Sequence, residues 1–442
     1  MYEDTVRTIY ENDTVKENQT LVQEVIDMAQ VIPYYDKYIT VSKAEFKLRH
    51  HVGIMQTENF RIQVLPKIWK SDLQGNEYAS RNLIKLLLYA FAPPRFNVPE
   101  IDISGEKTDF DLLELVIRLY ATSLEDQLSR GVYKRYTRRQ EESMFIRGKL
   151  DIGKQISRID KSKFDVNYFK FTSDNDLNRF FIYSTGVFKK LTRDIRNLEI
   201  LSSIESMLTS EEITQTNPNI GITFNRLNER FQIPYTYAKI ILDSLLIITG
   251  SGRRAMMMLF DMNVVFERFF ARFIERNKEV IFTQGIDIEV PLSQHSKRNF
   301  IYNLNNRPLR STQPDLKVTF GGYTYIFDTK YKILKVPDVD EDEDMTVDDV
   351  TKISSGDLYQ MFTYSELYRS SGTIMVFPGS ENRISESYHF TKGGRPLWVY
   401  MLHLDLSNEK WEEKLAREFR VHFRKIVAEE DYIKNNRKGV KH

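Results

Sequence analysis

The chain contains no cysteine among its 442 residues. That excludes disulfides, thiolate-ligated zinc, cysteine-held iron–sulfur clusters and thiol catalysis. Glycine and proline are sparse, at 19 and 13, which excludes a fibrous or low-complexity polymer. No apolar run reaches the roughly 18 residues that a membrane-spanning helix requires. The opening stretch Met1–Tyr10 is charged where a secretory signal would be apolar, so a cytoplasmic location is expected. No G-x-x-x-x-G-K-[ST] occurs, so this chain is not expected to hydrolyse a nucleotide by a P-loop. The seven histidines show no metal-ligand spacing.

What is present is globular. Hydrophobic residues make up 41% and charged residues 28%. At about 100–200 residues per domain, the length suggests two to four domains. The net charge of +1 hides an asymmetry. Asp338–Asp349 (DVDEDEDMTVDD) holds eight acidic and no basic side chains, which leaves +9 on the remainder. A moderately basic body carrying one acidic, solvated loop is the reading.

Along the chain, Leu21, Val22, Val25, Ile26 and Met28 recur at helical spacing before Pro33. Phe46–Met55 and Phe60–Ile68 read as two strands of a hairpin around Gln56–Asn59, with His50 and His51 inside the first strand. Residues 110–128 form an amphipathic helix. The basic stretch Lys134, Arg135, Arg138, Arg139, Arg147 and Lys149 follows. Residues 176–250 read as mostly helical, and Gly250-Ser251-Gly252 is the clearest break. Beyond it come a helix at Asp261–Asn277, strands at Val280–Val290, Pro314–Phe320 and Tyr323–Leu334, a helix at Ser354–Arg369 and a strand at Thr373–Phe377. Leu397–Leu406 adds a strand and Trp411–Ile426 a final helix. The fold class is therefore mixed α/β and multidomain. Three parts are expected: 1–160, β-rich; 161–252, helical; and 253–442, with an α-β-β-β-α-β core.

The sharpest signal is Pro314-Asp315, then Asp328-Thr329-Lys330. If Gly321-Gly322 is a two-residue hairpin loop, Phe320 pairs with Tyr323 and Asp315 falls opposite Asp328. Directly opposed Cβ atoms lie about 4.5–5.5 Å apart. Lys330, two residues on, shares their face. In this register one face collects Leu316, Val318, Phe320, Tyr323, Tyr325 and Phe327. The other is polar apart from Ile326, and a one-residue slip would scramble that segregation. Two adjacent carboxylates repel unless a cation lies between them. Oxygen-only ligation suits Mg²⁺, or Mn²⁺ in its place, which can orient a water and offset charge on a scissile phosphate. Metal-dependent phosphodiester hydrolysis is the expected chemistry, with Lys330 placed to assist the water or the phosphate.

Pro-Asp…Asp-x-Lys on a hairpin inside this element order resembles the PD-(D/E)xK nuclease superfamily, with its restriction-endonuclease-like core. More narrowly, the chain resembles the McrC subunits of McrBC-type, modification-dependent restriction systems. The likeness is carried by MNVVFERFF at Met262–Phe270, QPDLKV at Gln313–Val318, FDTKYK at Phe327–Lys332 and DLYQMFTYSEL at Asp357–Leu367. In the first part it is carried by HVGIM at His51–Met55, VLPKIW at Val64–Trp69 and IRGKLDI at Ile146–Ile152. The resemblance implies a DNA endonuclease that acts on double-stranded, 5-methylcytosine-modified DNA. It also implies a separate McrB-like AAA+ GTPase as partner, so that GTP enters only through that partner. The N-terminal part would dock on the partner and stimulate it. Cutting both strands needs two active sites, which points to a dimer within the complex.

The same resemblance supplies two further candidates. Glu267, at the edge of the Phe266, Phe269, Phe270 and Phe273 stripe, matches an acidic residue that helps hold the metal with Asp315 and Asp328. Its other reading is a solvated glutamate. Gln360 and Tyr364, four apart on one helix face, match an element flanking the active site; the alternative for Tyr364 is core packing. On the last helix, Lys410, Lys414, Arg417 and Arg424 form one stripe, and Trp411, Leu415, Phe419, His422 and Ile426 another. Phosphate contact and an ordinary solvated face both remain open for the basic one.

Overall fold

The computed structural model describes residues 6–16, 19–31, 35–42, 44–56, 59–70, 75–92, 96, 111–157, 159–209, 213, 221–250, 253–282, 286–289, 298–302, 307–334, 353–385, 388–390 and 394–439. The acidic stretch 338–349 falls outside them.

Contacts divide the chain into two units, Asp111–Asp243 and the combination of Met1–Phe110 with Ser244–His442. The expected boundaries at 160 and 252 each fall inside a unit. The second has a physical reason. Leu245–Gly250, expected to be helical, is a strand, and it pairs antiparallel with Arg253–Asp261 across the Gly250 break. Arg253–Asp261 in turn pairs with His51–Gln56, so the region closes the N-terminal sheet. That sheet runs in the order Leu245–Gly250, Arg253–Asp261, His51–Gln56, Arg61–Leu65, Val6–Tyr10, the last pair parallel. Met256, Met257 and Met258 are buried there.

The 46–68 hairpin forms, with Gln56 opposite Arg61. Its first strand, however, is broken. Glu45–Leu48 belongs to a separate three-stranded sheet with Thr14–Val15 and Ile39–Ser42, and His51–Gln56 to the five-stranded one. His50 makes the turn between them at φ +49°, outside any strand. Gly53 shows why the HVGIM segment needs glycine. Its φ is +131°, and a Cβ there would lie 2.0 Å from the Met258 carbonyl oxygen of the paired strand.

The second sheet of this unit carries the α-β-β-β-α-β core. The helix Met262–Arg276 leads in. The strands run in the order Ile286–Glu289, Leu316–Phe320, Tyr323–Thr329, Gly372–Gly379, Pro396–His403, Arg383–Ile384, and Tyr388–His389 also pairs with Pro396–His403. The first three are antiparallel; Tyr323–Thr329, Gly372–Gly379 and Pro396–His403 are parallel neighbours. Several boundaries differ from expectation. Lys278–Ile281 is a helical turn, and among the described residues the strand near 280–290 is Ile286–Glu289. Arg298–Tyr302 and Pro308–Thr312 form an additional antiparallel pair between the core strands Ile286–Glu289 and Leu316–Phe320. Trp411–Gly439 runs past Ile426. The helix Gly75–Phe91 has no counterpart in the sequence reading.

The core sheet is covered on both faces. Phe327 meets Phe270 at 5.7 Å and Phe419 at 6.2 Å, and Tyr325 meets Phe423 at 5.1 Å, joining the sheet to the helices Met262–Arg276 and Trp411–Gly439. Each such ring taken from water contributes on the order of 2–3 kcal/mol. In the last helix the buried stripe is Trp411, Leu415, Phe419, Phe423 and Ile426, so Phe423 stands where His422 was expected. On the opposite face Ile326 and Met375 pack with Met361 and Tyr364 of the helix Ser355–Tyr368. That packing explains the single apolar residue on the polar face of the hairpin.

The unit 111–243 is built from the helices Leu112–Ser129, Asp176–Leu191, Ile195–Thr209 and Gln232–Ser244. It also holds a three-stranded sheet in the order Arg135–Ser143, Phe164–Thr172, Lys149–Leu150. Buried Tyr120 ties the helices together through Ser184 at 2.9 Å and Thr185 at 2.8 Å.

Candidate active site

The hairpin has the expected register. Phe320 pairs with Tyr323, Val318 with Tyr325 and Leu316 with Phe327, so Asp315 and Asp328 occupy the next opposed positions. Gly321 and Gly322 turn the chain at φ +56° and +81°, as a two-residue loop of this kind requires. Pro314 precedes the strand, where its missing N–H breaks no ladder bond.

Asp315 Oδ2 accepts from both the backbone N–H and the hydroxyl of Thr329, each at 2.6 Å. Asp328 is buried, and its Oδ2 lies 2.7 Å from Lys330 Nζ. That contact is an ion pair without hydrogen-bond alignment, so Oδ2 is a buried oxygen with no aligned donor. Burial, and then the charge of Glu267, pushes the Asp315 carboxyl above the usual carboxylate range; Thr329 and Lys330 act the other way. Burial, and then the charge of Asp315, raises Asp328 as well. Both effects are what a cation between the carboxylates would relieve.

Lys330 leaves the sheet just beyond Thr329, with its N–H donating to the Val376 carbonyl at 2.8 Å. Its Nζ donates to Gln360 Oε1 at 2.9 Å and lies 3.6 Å from Asp357. Burial opposes its charge, but Asp328, Asp357 and Asp315 together raise its pKa, so it is a fixed cation. Gln360 Nε2 donates to Tyr364 Oη at 2.8 Å, and that hydroxyl donates to the Gln313 carbonyl at 2.8 Å. Tyr364 is thus both buried core and part of the polar chain. The two alternatives for it are not exclusive.

Glu267 is half-buried, and burial raises its carboxyl; Arg268 opposes this, and Asp328 adds to it. It stands within electrostatic reach of both aspartates. Among the described residues, no three His, Cys, Asp or Glu side chains gather to hold a metal ion. The residues fit a hard cation through two carboxylates, one with an oxygen lacking an aligned donor, and not through a closed cage of protein ligands.

Two neighbours have functional contacts that the sequence reading left unassigned. Thr329 orients Asp315, as above. Asp357 pairs with Lys332 at 2.7 Å and accepts from Ser354 at 2.7 Å. Burial opposes its charge, but Lys332, Ser354 and Lys330 hold its carboxyl below the usual range. The Ser354-x-x-Asp357 helix start was the available signal. The basic stretch at 134–149 lies in the other unit, on the exposed sheet, where Arg135 pairs with Asp176 at 2.9 Å and Arg139 with Asp174 at 3.0 Å. Of the stripe on the last helix, Arg417 lies 3.4 Å from Glu413, and Lys414 and Arg424 are exposed.

Fold and site together define a mixed α/β protein with two carboxylates and a charged lysine gathered at the ends of neighbouring strands. The chain belongs to the McrBC family: the model of the McrBC 5-methylcytosine restriction system component matches residues 46–378. It is similar to a chain in a half-complex from a tetradecameric assembly of Thermococcus gammatolerans McrB AAA+ hexamers with bound McrC. The TM-score is 0.64 and the identity 22%, over 96% of this chain and 100% of that one. A chain of the Thermococcus gammatolerans McrBC complex matches with a TM-score of 0.45 and 25% identity, over 62% of this chain and 88% of that one. No curated protein matches. Among the described residues, no helix is long and apolar enough to cross a membrane.

Proposed function

We propose that this chain is the DNA-cleaving subunit of a modification-dependent restriction complex. It hydrolyses phosphodiester bonds with Mg²⁺ or Mn²⁺ and is gated by a partner AAA+ GTPase. The observation that supports the chemistry is the convergence of Asp315, Asp328, Lys330 and Gln360 at adjacent strand ends, within a chain of this family.

Asp315 and Asp328 would hold the metal, with Glu267 acting from the neighbouring helix through the waters that Mg²⁺ retains. When bound, the metal polarises the phosphate and lowers the pKa of a water. The chain's own residues do the rest. Thr329 fixes the orientation of Asp315. Gln360 and Asp357 hold the Lys330 ammonium beside Asp328, where it offsets the negative charge that develops on the phosphate.

For the partner, the observation is the exposed sheet of the unit 111–243. Tyr136, Phe145, Phe169 and Phe171 are exposed there beside Arg135, Arg138 and Lys149. An exposed apolar surface with basic flanks suits docking on another protein. The similar Thermococcus gammatolerans assembly pairs McrC with McrB AAA+ hexamers. A GTPase of that kind is the partner we assign, with double-stranded, 5-methylcytosine-containing DNA as substrate and two copies of this chain acting on the two strands.

The test is cleavage of methylated and unmethylated plasmid with Mg²⁺, by the chain alone, with the GTPase and GTP, and with Asp328→Ala. Cleavage only in the complete methylated mixture, lost in the variant, is expected. Cleavage by the chain alone would point to a stand-alone repair nuclease. No cleavage with faster GTP hydrolysis would point to a GTPase-activating subunit.

A further inference from the structure

We infer that Tyr331 is a positioning residue for Lys330, anchored by Glu11 from the N-terminal sheet, so that this sheet is part of the active-site scaffold. The inference rests on the nuclease reading for its catalytic consequence, and on geometry alone for the anchor.

Tyr331 follows Lys330 directly. In an extended chain successive side chains point to opposite sides. Lys330 turns toward Gln360, while Tyr331 turns the other way and is 1% exposed. Its ring lies 6.1 Å from that of Phe266, the residue next to Glu267. Its hydroxyl donates to Glu11 Oε1 at 2.6 Å, across 320 residues of sequence.

Glu11 is itself fixed. It is 1% exposed and lies just past the strand Val6–Tyr10; its N–H donates to the Leu65 carbonyl at 2.9 Å. The same Oε1 accepts from the Lys67 N–H at 3.3 Å. Its Oε2 is buried without a hydrogen-bond partner among the described residues. A buried carboxylate with one oxygen unsatisfied costs stability. Among the described residues, the side chain that hydrogen-bonds to it is Tyr331, the residue beside the lysine of the site.

The consequence lies at the exit from the strand Tyr323–Thr329. There the backbone of Lys330 is held by Val376 on one side, and the Lys332 N–H donates to the Lys330 carbonyl at 2.8 Å. With Tyr331 pinned from below, the chain cannot rotate about this turn, and Lys330 Nζ stays beside Asp328. Released from Glu11, Tyr331 would let the turn move, and the ammonium would leave the place where charge develops. A misplacement of about 1 Å can cost 100-fold in rate.

The experiment uses the full-length chain and its Tyr331→Phe, Glu11→Ala and Glu11→Gln variants. Hydrogen exchange is read at the amides of Lys330 and Lys332, and plasmid cleavage in the complete GTPase mixture is read as kcat and KM. Tyr331→Phe and Glu11→Ala should raise exchange at both amides at least tenfold, with Pro396–His403 unchanged. They should lower kcat at least tenfold and leave KM within twofold. Glu11→Gln, which keeps the accepting oxygen, should stay within threefold of the parent on both readouts. Parental exchange in Tyr331→Phe, raised exchange with parental kcat, or Glu11→Gln failing as Glu11→Ala fails, would each overturn the inference. Absence of cleavage by the parent itself would sink the nuclease reading and the catalytic consequence, while the exchange data would still decide the anchor.

Discussion

Thr329 donates twice to one oxygen of Asp315, from its backbone N–H and from its hydroxyl, both at 2.6 Å. The pair ties one strand of the hairpin to the other at the point where the carboxylates face each other. It leaves Asp315 Oδ1 as the oxygen free of this clamp. Thr329→Val keeps the shape and the backbone donor and removes the hydroxyl. Loss of one hydrogen bond to a charged acceptor is worth about 1.5–3 kcal/mol. Part of that is returned by rotation of the carboxylate, so a three- to tenfold loss of cleavage is expected, with a higher Mg²⁺ midpoint. A metal titration of cleavage checks it; an unchanged midpoint would show that the hydroxyl does not orient the ligand.

Gln360 joins Lys330 to Tyr364 and, through it, to the Gln313 carbonyl one residue before Pro314. Gln360→Ala removes the neutral acceptor from the ammonium and leaves Asp328 and Asp357 to compete for it. At about 1.4 kcal/mol per tenfold in rate, loss of one charge-assisted bond predicts a cleavage rate at least tenfold lower, with GTPase stimulation unchanged. Single-turnover cleavage and GTP hydrolysis, measured on the same complex, separate the two.

Gly53→Ala acts on the N-terminal sheet. The new Cβ would lie 2.0 Å from the Met258 carbonyl oxygen, at a φ of +131° that L side chains rarely adopt. The clashing atom is backbone in a paired strand, so nothing flexible can move aside. Backbone strain and the forced separation of the strands each cost on the order of 1–3 kcal/mol. A large drop in thermal midpoint or in soluble yield is expected, and a parental midpoint would refute the close approach.

Much of the site was legible because its determinants are local. The glycine pair and the two-residue alternation fix the hairpin register, and the register places Asp315 against Asp328. Ser354 caps its helix through the Asp357 N–H, and Arg369 ends it at φ +47°, within a residue of the expected limits. What escaped the sequence reading is non-local or ambiguous. The run Leu245–Ile248 is apolar, with Leu246 and Ile247 exposed on an edge strand, and periodicity does not decide between strand and helix for so short an apolar run. The left-handed turn at His50 is dictated by its two flanking strands joining different sheets, which no local pattern announces. Glu11 and Tyr331 meet across 320 residues, and nothing near either one signals the other.

The same Glu11 gives a pH dependence that can be measured without any activity. Burial is the largest influence on its carboxyl and raises its pKa. The Tyr331 hydrogen bond and Lys67 oppose that, Asp261 adds to it, and the net shift is upward. The folded state therefore holds this proton more tightly than the unfolded chain, whose glutamates titrate near about 4.3. A group of this kind contributes its full stability below the unfolded value and loses it as pH rises through the raised folded value. Glu11→Gln cannot titrate, yet it keeps an oxygen for the Tyr331 hydroxyl. The stability difference between the parent and Glu11→Gln should thus be flat below about pH 4 and move in favour of the variant as pH rises above it. Denaturant unfolding of both proteins across that range checks the sign. A difference that does not change with pH would mean that Glu11 titrates alike in the folded and unfolded chains, and would refute the upward shift.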